Sequence, residues 1–154
     1  MRKTIAALAV LVVIGCSSTS NSASNATSPE ILLVQTSNVP AAARYTDSPL
    51  QIHYAMRVEN RALEPITLKQ VTVQSVSEGA YFVAPTSKPY DLQINAKERQ
   101  EVEFWVSATP GRSVVGANGP VTLRVTCRFQ NATGATFQEI VMQRVNERAS
   151  ISGE

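Results

Sequence analysis

From Glu30 onward, apolar and polar residues alternate with a period of two. Across residues 50–59, Leu50, Ile52, Tyr54, Met56 and Val58 fall on one side, and Gln51, His53, Ala55, Arg57 and Glu59 on the other. Residues 121–129 alternate more cleanly, with Thr122, Arg124, Thr126 and Arg128 opposite Val121, Leu123, Val125, Cys127 and Phe129. Residues 100–106 repeat the pattern through Val102, Phe104 and Val106. Successive side chains of an extended chain point to opposite faces, so each segment offers one face to a core and one to water. They predict half-buried strands of an antiparallel sheet. Residues 31–36, 66–76, 81–84 and 136–145 complete the predicted set, and a slip of phase near Lys69 and Gln70 predicts a β-bulge. Residues 136–145 alternate poorly, as an atypical or protected edge strand would.

Turn chemistry separates these segments. Asn60, Glu64 and Pro65 mark the link between the second and third strands, and Asn131 to Gly134 a short hairpin between the last two. No segment after residue 29 keeps helical apolar spacing for more than two turns. About seven short strands with regular turns predict an all-β domain over residues 30–146, an antiparallel two-sheet sandwich. An open barrel of the same strands is the alternative closure. The pattern is similar to that of immunoglobulin-like and fibronectin-III-like domains, without the inter-sheet disulfide and core tryptophan of antibody domains. An immunoglobulin-like strand order would set residues 99–107 beside residues 50–59.

The first residues carry a different pattern. Arg2 and Lys3 precede an unbroken apolar run from Ile5 to Ile14. Ten helical residues rise only about 15 Å, half the thickness of a bilayer's hydrocarbon, so the run predicts a signal-peptide core and no membrane span. It ends in Val13, Ile14, Gly15 and Cys16, after which Ser and Asn dominate. This segment resembles the lipobox of bacterial lipoproteins. The resemblance implies cleavage between Gly15 and Cys16 and diacylglyceryl transfer to the Cys16 sulfur. Two or three acyl chains would hold the protein at a membrane, since one alone binds only marginally. Ser17, in place of the aspartate that favours inner-membrane retention in such signals, implies an outer-membrane address facing the periplasm. Residues 16–29 then form a lipidated Ser- and Asn-rich tether, and residues 147–154 a polar tail.

Charge narrows the partners. Arg2 and Lys3 account for the whole excess of 14 basic over 12 acidic residues, so the remaining chain is neutral. A neutral domain lacks the basic footprint that binding to nucleic acid requires. Cys127 is the one thiol left after lipidation, which excludes an intrachain disulfide; its inward phase predicts a core residue. His53, the only histidine, has the outward phase, so the two are not expected to share a metal or a nucleophilic pair. Glu98, Glu101 and Glu103 cluster near one strand, but an exposed strand gives no cleft for paired carboxylates. The expectation is a non-catalytic protein with neither cofactor nor metal.

Trp105 stands against its position. Strand phase places it with Glu101 and Glu103 on the solvent side, where a neighbouring loop must cover it, a bulge must turn it inward, or a partner must use it. Stacked on Arg57 or His53 of the adjacent strand, it would form a protein-binding patch, since tryptophan and arginine dominate interface energetics. Val114 and Val115, in the long Gly- and Pro-containing loop of residues 108–120, are the second candidate anchor. The sequence thus predicts a lipid-anchored envelope protein whose sandwich binds or assists another envelope protein. A small periplasmic metal-binding protein or enzyme is the alternative, as is a structural lipoprotein of envelope integrity.

Overall fold

A computed structural model of the chain describes residues 28–39, 48–77, 79–111 and 119–145. The predicted cleavage site at Gly15 and Cys16, the predicted tether up to residue 27, the loop residues Val114 and Val115, and the whole predicted tail lie outside the described residues. The strands are β1 (Glu30–Gln35), β2 (Leu50–Glu59), β3 (Ile66–Ser75), β4 (Tyr81–Phe82), β5 (Thr86–Ile94), β6 (Arg99–Pro110), β7 (Val121–Asn131) and β8 (Thr136–Val145). Two antiparallel sheets of four strands result, ordered β1-β2-β6-β4 and β5-β3-β7-β8. Pairing β2 with β6 in one sheet, and running β3, β7 and β8 together in the other, is the immunoglobulin-like arrangement. The protein is an all-β sandwich.

Alternation builds the core as predicted. Ile52, Tyr54, Met56 and Val58 of the first sheet face Leu68, Val71, Leu123 and Phe129 of the second, all fully buried. Each such side chain contributes about 1.5–3 kcal/mol of burial. Phe137 of β8 stacks on Phe129 with ring centroids 5.4 Å apart. Cys127 lies in this core with its Sγ 3.7 Å from Met56 Sδ, and burial, then the charge of Glu139, pushes its thiol up to about 12. The predicted bulge is present: the register of β3 shifts between Leu68 and Gln70 against both neighbours.

Two expectations need correction. The strands number eight, because β5 follows the two-residue β4 within a stretch where Pro85 and Pro89 interrupt the pattern. Proline lacks a ladder donor but is tolerated on an edge strand, and β5 is one. The last strand, β8, is regular: Phe137, Glu139, Val141, Gln143 and Val145 point inward while Ile140 and Met142 are exposed. Its pattern is blurred by polar residues in the inward phase of an edge.

Turns close on side chains. Asn60, fully buried after β2, donates through Nδ2 to the carbonyls of Glu64 (2.8 Å), Asn95 (3.0 Å) and Ile94 (3.1 Å). Its Oδ1 accepts from the Ala62 amide at 3.0 Å. One side chain thereby fixes two loops. In the last hairpin Asn131 Oδ1 accepts from Thr133 and Ala135, and Gly134 takes φ 86°, a conformation that favours glycine.

Candidate functional site

The outer face of the first sheet gathers most of the candidate residues. Register sets them in rows across the strands: Glu30, Glu59 and Arg99; Leu32, Arg57 and Glu101; Val34, Ala55 and Glu103; and His53 beside Trp105. Residues 99–107 therefore do lie against residues 50–59. The amide of Asn60 donates to Glu98 O and that of Thr36 to His53 O, both at 2.9 Å. Antiparallel bonds alternate, so His53 and Trp105 form a non-hydrogen-bonded pair, the kind whose side chains stand closest.

One end of this face is bound up in its own charges. Arg61 pairs with Glu30 and with Glu59 (3.7 Å), Arg99 with Glu59 (2.7 Å), and Arg57 with Glu101 (3.6 Å). The other end carries Trp105, 45% exposed, and Phe82 of β4, 49% exposed. No bulge turns Trp105 inward, and no described loop covers it. The expected stacking on Arg57 is corrected: that guanidinium is drawn to Glu101, and the cation over the indole is Lys88, its Nζ 4.5 Å from the ring centroid. Lys88 sits in the inward phase of β5, so its stem crosses the mouth between the two sheets to reach the ring. Such a contact contributes about 0.5–1 kcal/mol at an exposed position.

Beneath the aromatic end lies a buried hydroxyl chain. Tyr81 donates to Gln35 Oε1 at 2.6 Å, so its other neighbour, the Tyr54 hydroxyl 2.8 Å away, must be the donor to it. Gln35 Nε2 passes the chain on to Ser37 O at 2.7 Å. Burial raises both tyrosines, Tyr81 to about 12, where the bond from Tyr54 partly offsets it. These bonds tie β1, β2 and β4 together under Trp105. Gly111 and Gly79 close the seam: a Cβ on Gly111 would lie 2.1 Å from Gly79 O.

The comparisons with known proteins come down to architecture. No family model matches the chain, and no curated protein matches it. Among solved structures it is similar to the Northeast Structural Genomics Consortium target SoR45, at 9% identity and a TM-score of 0.54. The match covers 84% of this chain and 93% of that one. A protein from Archaeoglobus fulgidus matches at 15% identity and TM-score 0.46, over 76% of this chain and 94% of that one. The PapD-like domain 7 of human CEP192 matches at 12% identity and TM-score 0.38, over 93% and 96% of the two chains. The first of these likenesses shows a shared fold and nothing of function.

The structure brings together His53, Trp105 and Arg57 on one face, with Arg57 turned to another partner. His53 on that face and Cys127 in the core lie apart, and among the described residues no three groups of metal-ligating type gather. Sequence reasoning missed Lys88 and Phe82. Phe82 alternates with buried Tyr81 and Val83, a signal too short to read.

Proposed function

We propose that the protein is a lipid-anchored component of a bacterial cell envelope that holds another envelope protein against the outer face of its first sheet. The observation that carries the binding reading is Trp105, the chain's only tryptophan, held 45% exposed on a rigid strand. Exposed tryptophan on a fixed backbone gives large contact area at little entropic cost, which is why it recurs at the centres of interfaces. The anchor reading rests on the lipobox-like run ending at Cys16, with Ser17 favouring the outer membrane and a periplasm-facing domain. The sandwich supplies a rigid platform and the lipid supplies location.

Two measurements test this reading. Cys16→Ser should abolish incorporation of labelled palmitate and leave an unprocessed precursor; a processed, unlabelled product would refute the anchor. A photo-crosslinking residue placed at Ser107, beside Trp105, should capture one discrete protein in intact cells. Trp105→Ala should abolish that capture while lowering the melting temperature by no more than a few degrees, the share of its contact with Lys88. Capture unaffected by Trp105→Ala would remove the face from the proposal.

A further inference from the structure

The outward edge of β6 is unpaired by any described strand over most of its length. Its hydrogen-bonded pairing with β2 runs through Gln100, Val102, Phe104, Val106 and Ala108, as the Asn60–Glu98 bond requires. The amides and carbonyls of Glu101, Glu103, Trp105 and Ser107 therefore point away from β2. On that side β4 pairs only with Thr109 and Pro110. It then leaves, because Val83 O accepts from Ser75 N and Val83 N donates to Ser75 Oγ, both at 2.9 Å, turning the chain into the second sheet. A vacant strand position continues in line with β4.

We propose that this edge, from Glu101 to Ser107, receives an extended segment of a partner protein, apolar at alternate positions and carrying a basic side chain opposite Glu103. The proposal rests on the binding reading above and names how the partner is held. Main-chain bonds along a sheet edge give affinity and alternate side chains give selectivity. The other sheet edges each carry a device that blocks such addition: β1 has only six residues, β5 contains Pro89, and β8 turns Glu139 inward. Between Arg99 and Thr109, β6 has no proline and no inward charge.

The side chains agree. Inward, Val102 and Phe104 retain 8% and 9% exposure, against 1% or less for Ile52, Tyr54, Met56 and Val58 of the adjoining strand. Tyr90 and Leu92 of β5 are half-buried across the mouth. The alternate apolar residues of an added strand would complete that seal. Outward, Glu30, Glu59 and Glu101 have ion-pair partners, whereas Glu103 faces Ala55 and has none among the described residues. A lysine or arginine at the directly opposed position of the incoming strand supplies the missing charge. Trp105 neighbours it on the outer face, Phe82 lies further along beside Thr109, and Lys88 lies across the slot as a latch that entry displaces.

The full chain in detergent, titrated with a short peptide of alternating valine and threonine with one central lysine, tests this. Emission of the single tryptophan should shift to the blue on binding. Replacing the peptide's lysine by glutamate, or making Glu103→Lys in the protein, should weaken binding about tenfold or more, and the two changes together should restore it. N-methylation of the alternate peptide amides that face β6 should abolish binding, while methylation of the other set should not. Ser107→Pro, which removes a donor only from the vacant side, should act like the first set; the methylated peptides decide the matter if that variant fails to fold. Binding that survives methylation of the edge-facing amides overturns strand addition but leaves the Trp105 face as a binding surface. Absence of binding overturns it too, and the crosslinking at Ser107 then judges the broader reading separately. A dimer of the full chain dissolved by Ser107→Pro would assign the edge to a second copy and overturn the proposal as well.

Discussion

The two ends of the first sheet's outer face differ in how far they satisfy themselves. At the end where β1 begins, Glu30, Arg61, Glu59 and Arg99 bind one another, and Asn60 plugs the turn below. At the end where β6 finishes, Trp105 and Phe82 are half-exposed, Glu103 lacks a counter-charge among the described residues, and the strand edge is open. Both ends share β2 and β6, so the difference lies in the side chains they carry and in the β6 edge that β4 leaves uncovered. A surface whose charges are already paired gains little from a partner. A surface with aromatic area and unspent backbone donors gains a good deal.

This contrast can be broken by experiment, and alkaline pH should have the largest effect. The folded thiol of Cys127 is raised from 9.0 to about 12, and the Tyr81 hydroxyl from 10.0 to about 12. A group whose folded value is raised contributes stability that is fully present below its unfolded value and lost as pH climbs towards the folded one. Urea midpoints should hold up to about pH 9 and fall steeply between pH 9 and 12. A flat profile there would show that neither group is buried. Cys127→Ala should remove the earlier part of the fall.

Asn60→Ala comes next. It strands the carbonyls of Glu64, Ile94 and Asn95 together, at about 3 kcal/mol. A loss under about 1 kcal/mol in chemical unfolding would show the closed end to be less dependent on that plug than argued. Tyr81→Phe should lower stability by about 1–3 kcal/mol, leaving Tyr54 and Gln35 without their common partner beneath the aromatic end. Arg57→Ala breaks an exposed pair with Glu101 and should change stability by about 0–1 kcal/mol, with partner capture intact. Lys88→Gln should be smallest in stability, about 0.5 kcal/mol, yet should strengthen peptide binding measured by tryptophan emission. Weaker binding would show Lys88 to be a contact rather than a latch.

Much of this architecture was legible in the chain. β2, β6 and β7 bury one face each, so period two marks them, and the slip at Lys69 and Gln70 announces its bulge. β5 was hidden because an edge strand needs few apolar residues: its inward phase includes Lys88 and its outward phase Pro89. β8 looked irregular for the same reason, with Glu139 and Gln143 on the half-buried side. At the candidate site, the outward phase of Trp105 could be read, and its cross-strand place beside His53 followed from an immunoglobulin-like order. The cation over its ring could not. Lys88 reaches it from the opposite sheet, and no local pattern encodes a contact between strands that never pair.

Where the chain enters the sandwich has a directional consequence. Glu30 starts β1 opposite Glu59, and the strand runs away from there towards His53. A leash fixed at Cys16 would thus tug on the salt-bridged pole. His53 lies six residue steps along β2 from Glu59, about 20 Å at 3.3 Å per residue. If the proposed lipid at Cys16 holds the domain by that pole, the indole lies at the end of the sheet remote from the bilayer.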